Sequence, residues 1–293
     1  MTTTPQTQVS ARRPSALASR SAEWDPEATS RVLVSADGSY WGRMALRWAC
    51  EHAWLANAEL EVHAPPTTRP RAHVGDDGIG GIARKYPLLR IRVRSTDNPA
   101  ASLIEASGDA NLVVMGCRDD TQHGIGLGGC VLPVAAGARC DVVVVGGRPR
   151  AINGGYRSIT VVLGSPTDDH ALRTASRFAD LRRVPLRILR PVPIPMSRPA
   201  LSAGMDRYFD TLDEAAGRVH SWAPKVRTAT EVVWSNAQEV AMNATETDLL
   251  VLGANGHLNP VGRTALFHIN VPVLIARPAH APAMATPRPR LAR

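Results

Sequence analysis

Asp37 stands at the end of a short apolar run, VLVSAD (Val32 to Asp37), and Gly38 and Ser39 follow it directly. A carboxylate there can accept hydrogen bonds from an exocyclic amine or a ribose hydroxyl. Farther along, Gly116 to Val131 reads GCRDDTQHGIGLGGCV, with five glycines in sixteen residues ahead of a short predicted helix. Backbone N–H groups at a helix start, approached closely because glycine has no side chain, hold phosphates in such loops. Cys117, His123 and Cys130 share the loop and raise metal or thiol chemistry. However, twelve residues separate the two cysteines and no fourth ligand lies in the loop, so packing is the expected role and no metal is expected. Gly-x-Ser-x-Gly, His-Glu-x-x-His and a complete Walker loop are all missing, so no catalytic residue set and no enzyme are expected.

The elements that must position these groups alternate in type. VLVSAD reads as a strand, and Asp-Gly-Ser supplies its stop and a helix N-cap together. The helix that follows carries Ala45, Trp48, Ala49, His52, Ala53 and Ala56 on one apolar face, with His52 as a packing residue. Next come LEVHA (Leu60 to Ala64), a variable basic stretch, RIRVR (Arg90 to Arg94) and a helix from about Pro99 to Ser107. LVVMG, the glycine-rich loop, a short helix and VVVV (Val142 to Val145) close the unit. Near-continuous apolar strands alternating with helices mean a parallel sheet covered on both faces. Ligands bind such sheets beyond the carboxyl ends of the strands, which selects Asp37, Ala64 and the loop after Gly116.

The unit is written twice. At an offset of 126, Gly38 to Pro65 matches Gly164 to Pro191, with Ala45-Leu46-Arg47 on Ala171-Leu172-Arg173. NLVVMG (from Asn111) matches DLLVLG (from Asp248) at 137, and VVVVGGRP (from Val142) matches VPVLIARP (from Val271) at 129. At an offset of 126 the second copy has Leu163 where the first has Asp37, so the strand-end carboxylate is expected to be absent there. Gly253 and Gly256 keep the first half of the second loop, but the fall in offset from 137 to 129 removes eight residues, and loss of nucleotide binding is expected.

Composition narrows the setting. A chain of 293 residues is long enough for two domains, and a net charge of +8 first suggests nucleic acid, an anionic membrane or a phosphorylated ligand. Only Lys85 and Lys225 are lysines, and that arginine skew weakens the inference. RIRVR reads as an edge strand charged against sheet-to-sheet pairing, and no nucleic-acid motif accompanies it. Four cysteines are too few for a disulfide scaffold, so reduced thiols and a cytoplasmic location are expected. No stretch approaches the roughly 18 apolar residues of a membrane helix, so no membrane partner is expected. Residues 1–28 are expected to form a flexible leader, 29–149 and 155–278 two α/β domains, and 279–293 a flexible basic tail.

The repeated unit resembles the universal stress protein family, and the chain resembles a tandem two-domain member. VLVSADGS followed by ALRWACEHA carries the resemblance, with LVVMG opening a Gly-rich loop ahead of VVVV. The fold class this implies is α/β: two doubly wound parallel five-stranded sheets of strand order 3-2-1-4-5, a tandem repeat forming a pseudo-dimer. Nucleotide-binding members bind ATP between an Asp at the end of the first strand and a loop of Gly, two residues, Gly, nine residues, Gly, then Ser or Thr. Carried over, the cofactor-binding set is Asp37, Ala64, Met115, Gly116, Arg118, Gly128, Gly129 and Cys130. Asp119 occupies the second glycine position and Cys130 the hydroxyl position, which weakens the first-copy site. The expected function is a non-catalytic stress-response protein sensing ATP or another adenine nucleotide through its first domain. The alternative is a nucleotide-independent regulatory scaffold that binds a protein partner, as the pseudo-dimer alone or as a homodimer.

Overall fold

The computed structural model describes residues 30–66, 79–118, 126–164, 168–192, 198–254 and 257–278. The expected leader and tail, most of the variable basic stretch, Asp119, His123 and Gly256 lie outside these residues. In the first half, β1 (Arg31–Ser35), β2 (Glu59–Ala64), β3 (Ile91–Ser95), β4 (Leu112–Gly116) and β5 (Asp141–Val145) alternate with α1 (Tyr40–Ala56), α2 (Ile79–Lys85), α3 (Pro99–Ala106) and α4 (Val131–Gly137). A one-turn helix, α5 (Pro149–Ile152), leads into the second half. There β6 (Ile159–Val162), β7 (Leu186–Val192), β8 (Thr228–Trp234), β9 (Leu249–Gly253) and β10 (Val273–Ala276) alternate with α6 (Asp169–Arg182), α7 (Arg198–Trp222), α8 (Ala237–Asn243) and α9 (Pro260–Phe267).

Each half has the expected strand order, and the two halves join into one ten-stranded sheet: β3-β2-β1-β4-β5-β10-β9-β6-β7-β8. Strands within a half run parallel, and β5 and β10 pair antiparallel, with Val143 opposite Leu274. Both last strands are Val- or Ile-rich and fully buried, so neither could remain an open edge without exposing apolar surface and unpaired backbone. RIRVR does form an edge strand. Arg90 and Arg92 reach Glu59 at 3.4 and 3.5 Å, and Arg94 lies 3.9 Å from Glu61, so the strand beside it offsets part of the outermost segment's charge.

One helix layer crosses the junction. Trp48 and His52 of α1 stack against Phe178 of α6, with His52 and Phe178 ring centres 4.6 Å apart, and the Arg182 guanidinium covers the Trp48 ring. His52 is the packing residue its position on the apolar face suggested. Burial, with Arg182 and Arg177 nearby, pushes its pKa down to about 3. Both helices end alike, α1 at Asn57 and α6 at Arg183, each in the left-handed conformation and 126 residues apart.

A buried polar group also ties the halves, beneath α6 on the same side of the sheet. The Asp141 carboxylate accepts hydrogen bonds from the Arg277 backbone N–H at 2.8 Å and the Thr174 hydroxyl at 3.3 Å, with His170 Nε2 3.4 Å away. Burial pushes Asp141 up to about 6 and His170 down to about 4. The Arg277 guanidinium donates to the carbonyls of Ala135 and Ala136, in the last turn of α4, where a cation complements the helix dipole.

Two outcomes follow for stability. Phe178→Ala empties the stacked layer between α1 and α6 and should cost about 3–5 kcal/mol, read from the urea midpoint; a loss below about 1 kcal/mol would contradict that role. His52 and His170 have native pKa values below the unfolded 6.5, so unfolding takes up protons and stability falls as pH drops from 6.5 toward 4. Asp141 opposes this, because its raised pKa removes stability as pH climbs from 3.8 through about 6. Two histidines against one aspartate leave a net acid-side loss, and His52→Phe should make the stability-versus-pH slope shallower by up to about 1.4 kcal/mol per pH unit.

Candidate functional site

The chain leaves β1 through Ala36, whose N–H pairs with the His63 carbonyl, and turns at Asp37-Gly38 into α1. Ser39 caps that helix, its hydroxyl accepting from the Gly42 N–H at 2.8 Å. Asp37 Oδ1 accepts from the Ser39 N–H at 3.0 Å, so the carboxylate lies across the first turn of α1, where the helix dipole favours negative charge. A Cβ on Gly42 would fall 2.1 Å from that oxygen. The glycine five residues after Asp37 is therefore what lets the aspartate lie there.

Gly116 ends β4 beside it. A Cβ at this position would stand 2.6 Å from the Trp41 carbonyl carbon, so the first turn of α1 is packed directly on the strand end. Arg118 then bridges the mouth of the loop: its carbonyl lies 3.5 Å from the Ser39 hydroxyl, and its Nε donates to the Gly126 carbonyl at 3.0 Å. The loop returns to the sheet through Gly128, whose N–H donates to the Cys117 carbonyl at 2.9 Å. Gly129 is exposed, and Cys130 takes the cap position of α4 without a side-chain capping hydrogen bond.

Asp37, Gly116, Arg118 and the 128–130 turn thus gather at the carboxyl ends of β1 and β4. Ala64 is buried at the end of the neighbouring strand β2, and the Met115 side chain is packed into the core. Ser39 is the N-cap that Asp-Gly-Ser implied; sequence reasoning did not single out Trp41, Gly42 or Arg43, whose guanidinium donates to the Gly38 carbonyl. Their signal was the Asp-x-Ser-x-x-Gly spacing. Cys117 is buried, which pushes its thiol up to about 11 and leaves no thiolate there for chemistry. Among the described residues no group of three or more His, Cys, Asp or Glu is placed to hold a metal, and no helix is long and apolar enough to cross a membrane.

The second half corrects one expectation. Strand pairing makes Val32 equivalent to Ile159, since they face Leu112 and Leu249, so the counterpart of Asp37 is Gly164 and Leu163 is a core residue. A carboxylate is nevertheless present. Asp168, which stands at an offset of 126 from Gly42, accepts from the Gly164 N–H at 2.9 Å and approaches Gly253, where a Cβ would lie 3.5 Å from its Cγ. In the first half the strand supplies the acid and the helix a glycine, and in the second half these are exchanged. The short second loop is closed by Asn259, which donates to the Gly253 carbonyl and caps α9 through Gly262.

Residues 155–277 match the profile of the Universal stress protein family. No curated protein matches the chain. A candidate universal stress protein of Pseudomonas aeruginosa UCBPP-PA14 is similar at 14% identity, covering 86% of this chain and 94% of its own, with a TM-score of 0.61. A universal stress protein of Archaeoglobus fulgidus DSM 4304 is similar at 14% identity, covering 84% and 98%, with a TM-score of 0.57. The cytoplasmic domain of a prokaryotic cation chloride cotransporter shares the architecture at 11% identity, covering 85% and 95%, with a TM-score of 0.55. The second half therefore carries the universal stress protein profile, and the first half repeats its strand order, so the chain as a whole is similar in fold to universal stress proteins.

Proposed function

We propose that this is a non-catalytic stress-response protein of two α/β domains, 29–149 and 155–278, whose first domain senses ATP or another adenine nucleotide. The supporting observation is the Asp37 carboxylate at the strand end, given room by Gly42 beside Gly116. In this reading Asp37 accepts from the adenine amine or a ribose hydroxyl, the Arg118 guanidinium offsets phosphate charge, Gly128 holds the turn in place through the Cys117 carbonyl, and the backbone N–H groups of Gly129 and Cys130 face the phosphates. Ala64 and Met115 contribute the backbone of the neighbouring strand ends. Ligand binding would tie the turn at Gly128–Cys130 to the start of α1, and the junction between β5 and β10 would carry that change into the second domain.

One observation favours a second reading, a scaffold that binds a protein partner without nucleotide. The need for glycine at 116 is already met by its contact with the Trp41 backbone, independently of any phosphate. Equilibrium dialysis with labelled ATP separates the two. Asp37→Ala should weaken binding roughly 10- to 100-fold, the worth of a hydrogen bond to a charged acceptor. No binding at about millimolar ATP, or binding indifferent to Asp37→Ala, leaves the scaffold reading. Cys130→Ser replaces a poor cap with a good one at the start of α4, which should raise stability by about 1 kcal/mol and tighten ATP several-fold; a weaker-binding serine variant would count against contact at this position.

A further inference from the structure

A cleft of about 270 Å³ lies in the second half, between α8 and the sheet formed by β6, β7 and β8. It is separate from the crevice beside Asp37. Its floor holds Thr160, which is 2% exposed, lines the cleft, and has a hydroxyl without a hydrogen-bond partner. A buried hydroxyl left unpaired is a standing cost, so its presence beneath an open cleft marks a place where a ligand group would complete it.

Comparison of the halves shows why the space exists. Strand register places Leu33 where Thr160 stands, since each pairs with the second residue of its neighbouring strand, Val113 or Leu250. The N-caps Asn98 and Asn236 align α3 with α8 and put Leu103 opposite Ala241. Leu33 and Leu103 are fully buried in the first half, and His63 Nδ1 and Ser102 Oγ close the rest of that space at 2.9 Å. Two leucines have thus become a threonine and an alanine, which opens the space and places a polar atom at its base.

The walls define the chemistry. Glu231, Glu239 and Glu246 face a single cation, Arg187, whose guanidinium lies 3.2 Å from Glu231. The Ser235 hydroxyl donates to the Glu239 carboxylate, which orients that acid at the rim. The lining therefore carries a net charge of −2 from three acids and one base, in a chain whose overall charge is +8. Leu189 and Val233 supply an apolar stretch between the charged groups. We propose that this cleft binds a small aliphatic amine, with its methylenes on Leu189 and Val233 and its ammonium N–H groups donating to the Thr160 hydroxyl and the glutamates. The volume falls just under that of drug-sized pockets, about 300–1,000 Å³, and fits a ligand of this size. The reading does not rest on nucleotide binding in the first half.

Isothermal titration of the full chain with 1,4-diaminobutane tests the proposal, with 1,4-butanediol and succinate as shape-matched neutral and anionic probes. Saturable binding of the diamine alone is expected, weakened about tenfold by Thr160→Val and by Glu239→Gln, the loss expected for one hydrogen bond to a charged group. Thr160→Val keeps the side-chain shape, so an unchanged circular dichroism spectrum with weakened binding supports the site. If Glu239→Gln fails to fold, Thr160→Val alone decides. No diamine binding up to about 10 mM, equal binding by the valine variant, or succinate binding as well as the diamine would each overturn it.

Discussion

The antiparallel pairing of β5 with β10 is the constraint on which the rest depends. Each half alone would present a largely apolar last strand, DVVVV or VLIA, as an open edge, an exposed template for pairing with another strand. Once the two strands meet, both hydrophobic cores run across the junction, and the helices over it must fit each other. Trp48, His52 and Phe178 meet that demand on one face. Asp141 on that same face, and Arg277 reaching α4 on the other, are buried with partners drawn from across the junction, which makes their polar atoms tolerable only when the halves are in register.

Much of this was legible in the residues. A repeat of 126 residues needs no outside knowledge, and near-continuous apolar strands between helices permit few architectures. The strand order within each half and the edge position of RIRVR were as expected. What the sequence did not declare was that two sheets would become one, because pairing between last strands is a long-range choice that leaves no local signal. VVVV and VLIA state that they are buried without stating against what.

The candidate site was legible by type more than by arrangement. Asp37 and Gly116 lie together as their positions after strands implied. Gly116, however, answers to the Trp41 backbone, a contact that alignment of loops cannot reveal. The exchange of Asp37 and Gly42 for Gly164 and Asp168 was hidden because matching by identity favours the helix offset of 126, whereas the first strands, β1 and β6, align at 127. Reading both offsets together would have exposed it. A carboxylate at the strand ends in both halves, reached by two different routes, suggests a local electrostatic requirement there, met by the positive end of the following helix.

The junction has one further consequence. Where two separate chains pair through their last strands, the partnership is bimolecular and falls apart on dilution. Here the same contact is made within one polypeptide, at an effective concentration on the order of millimolar or above. Its persistence is set by chain connectivity, whatever the amount of protein present. Because β10 runs against β5, the carboxyl ends of the two halves also open on opposite rims of the sheet. A single small partner cannot cap both at once, so the two crevices are approached from opposite edges of one sheet.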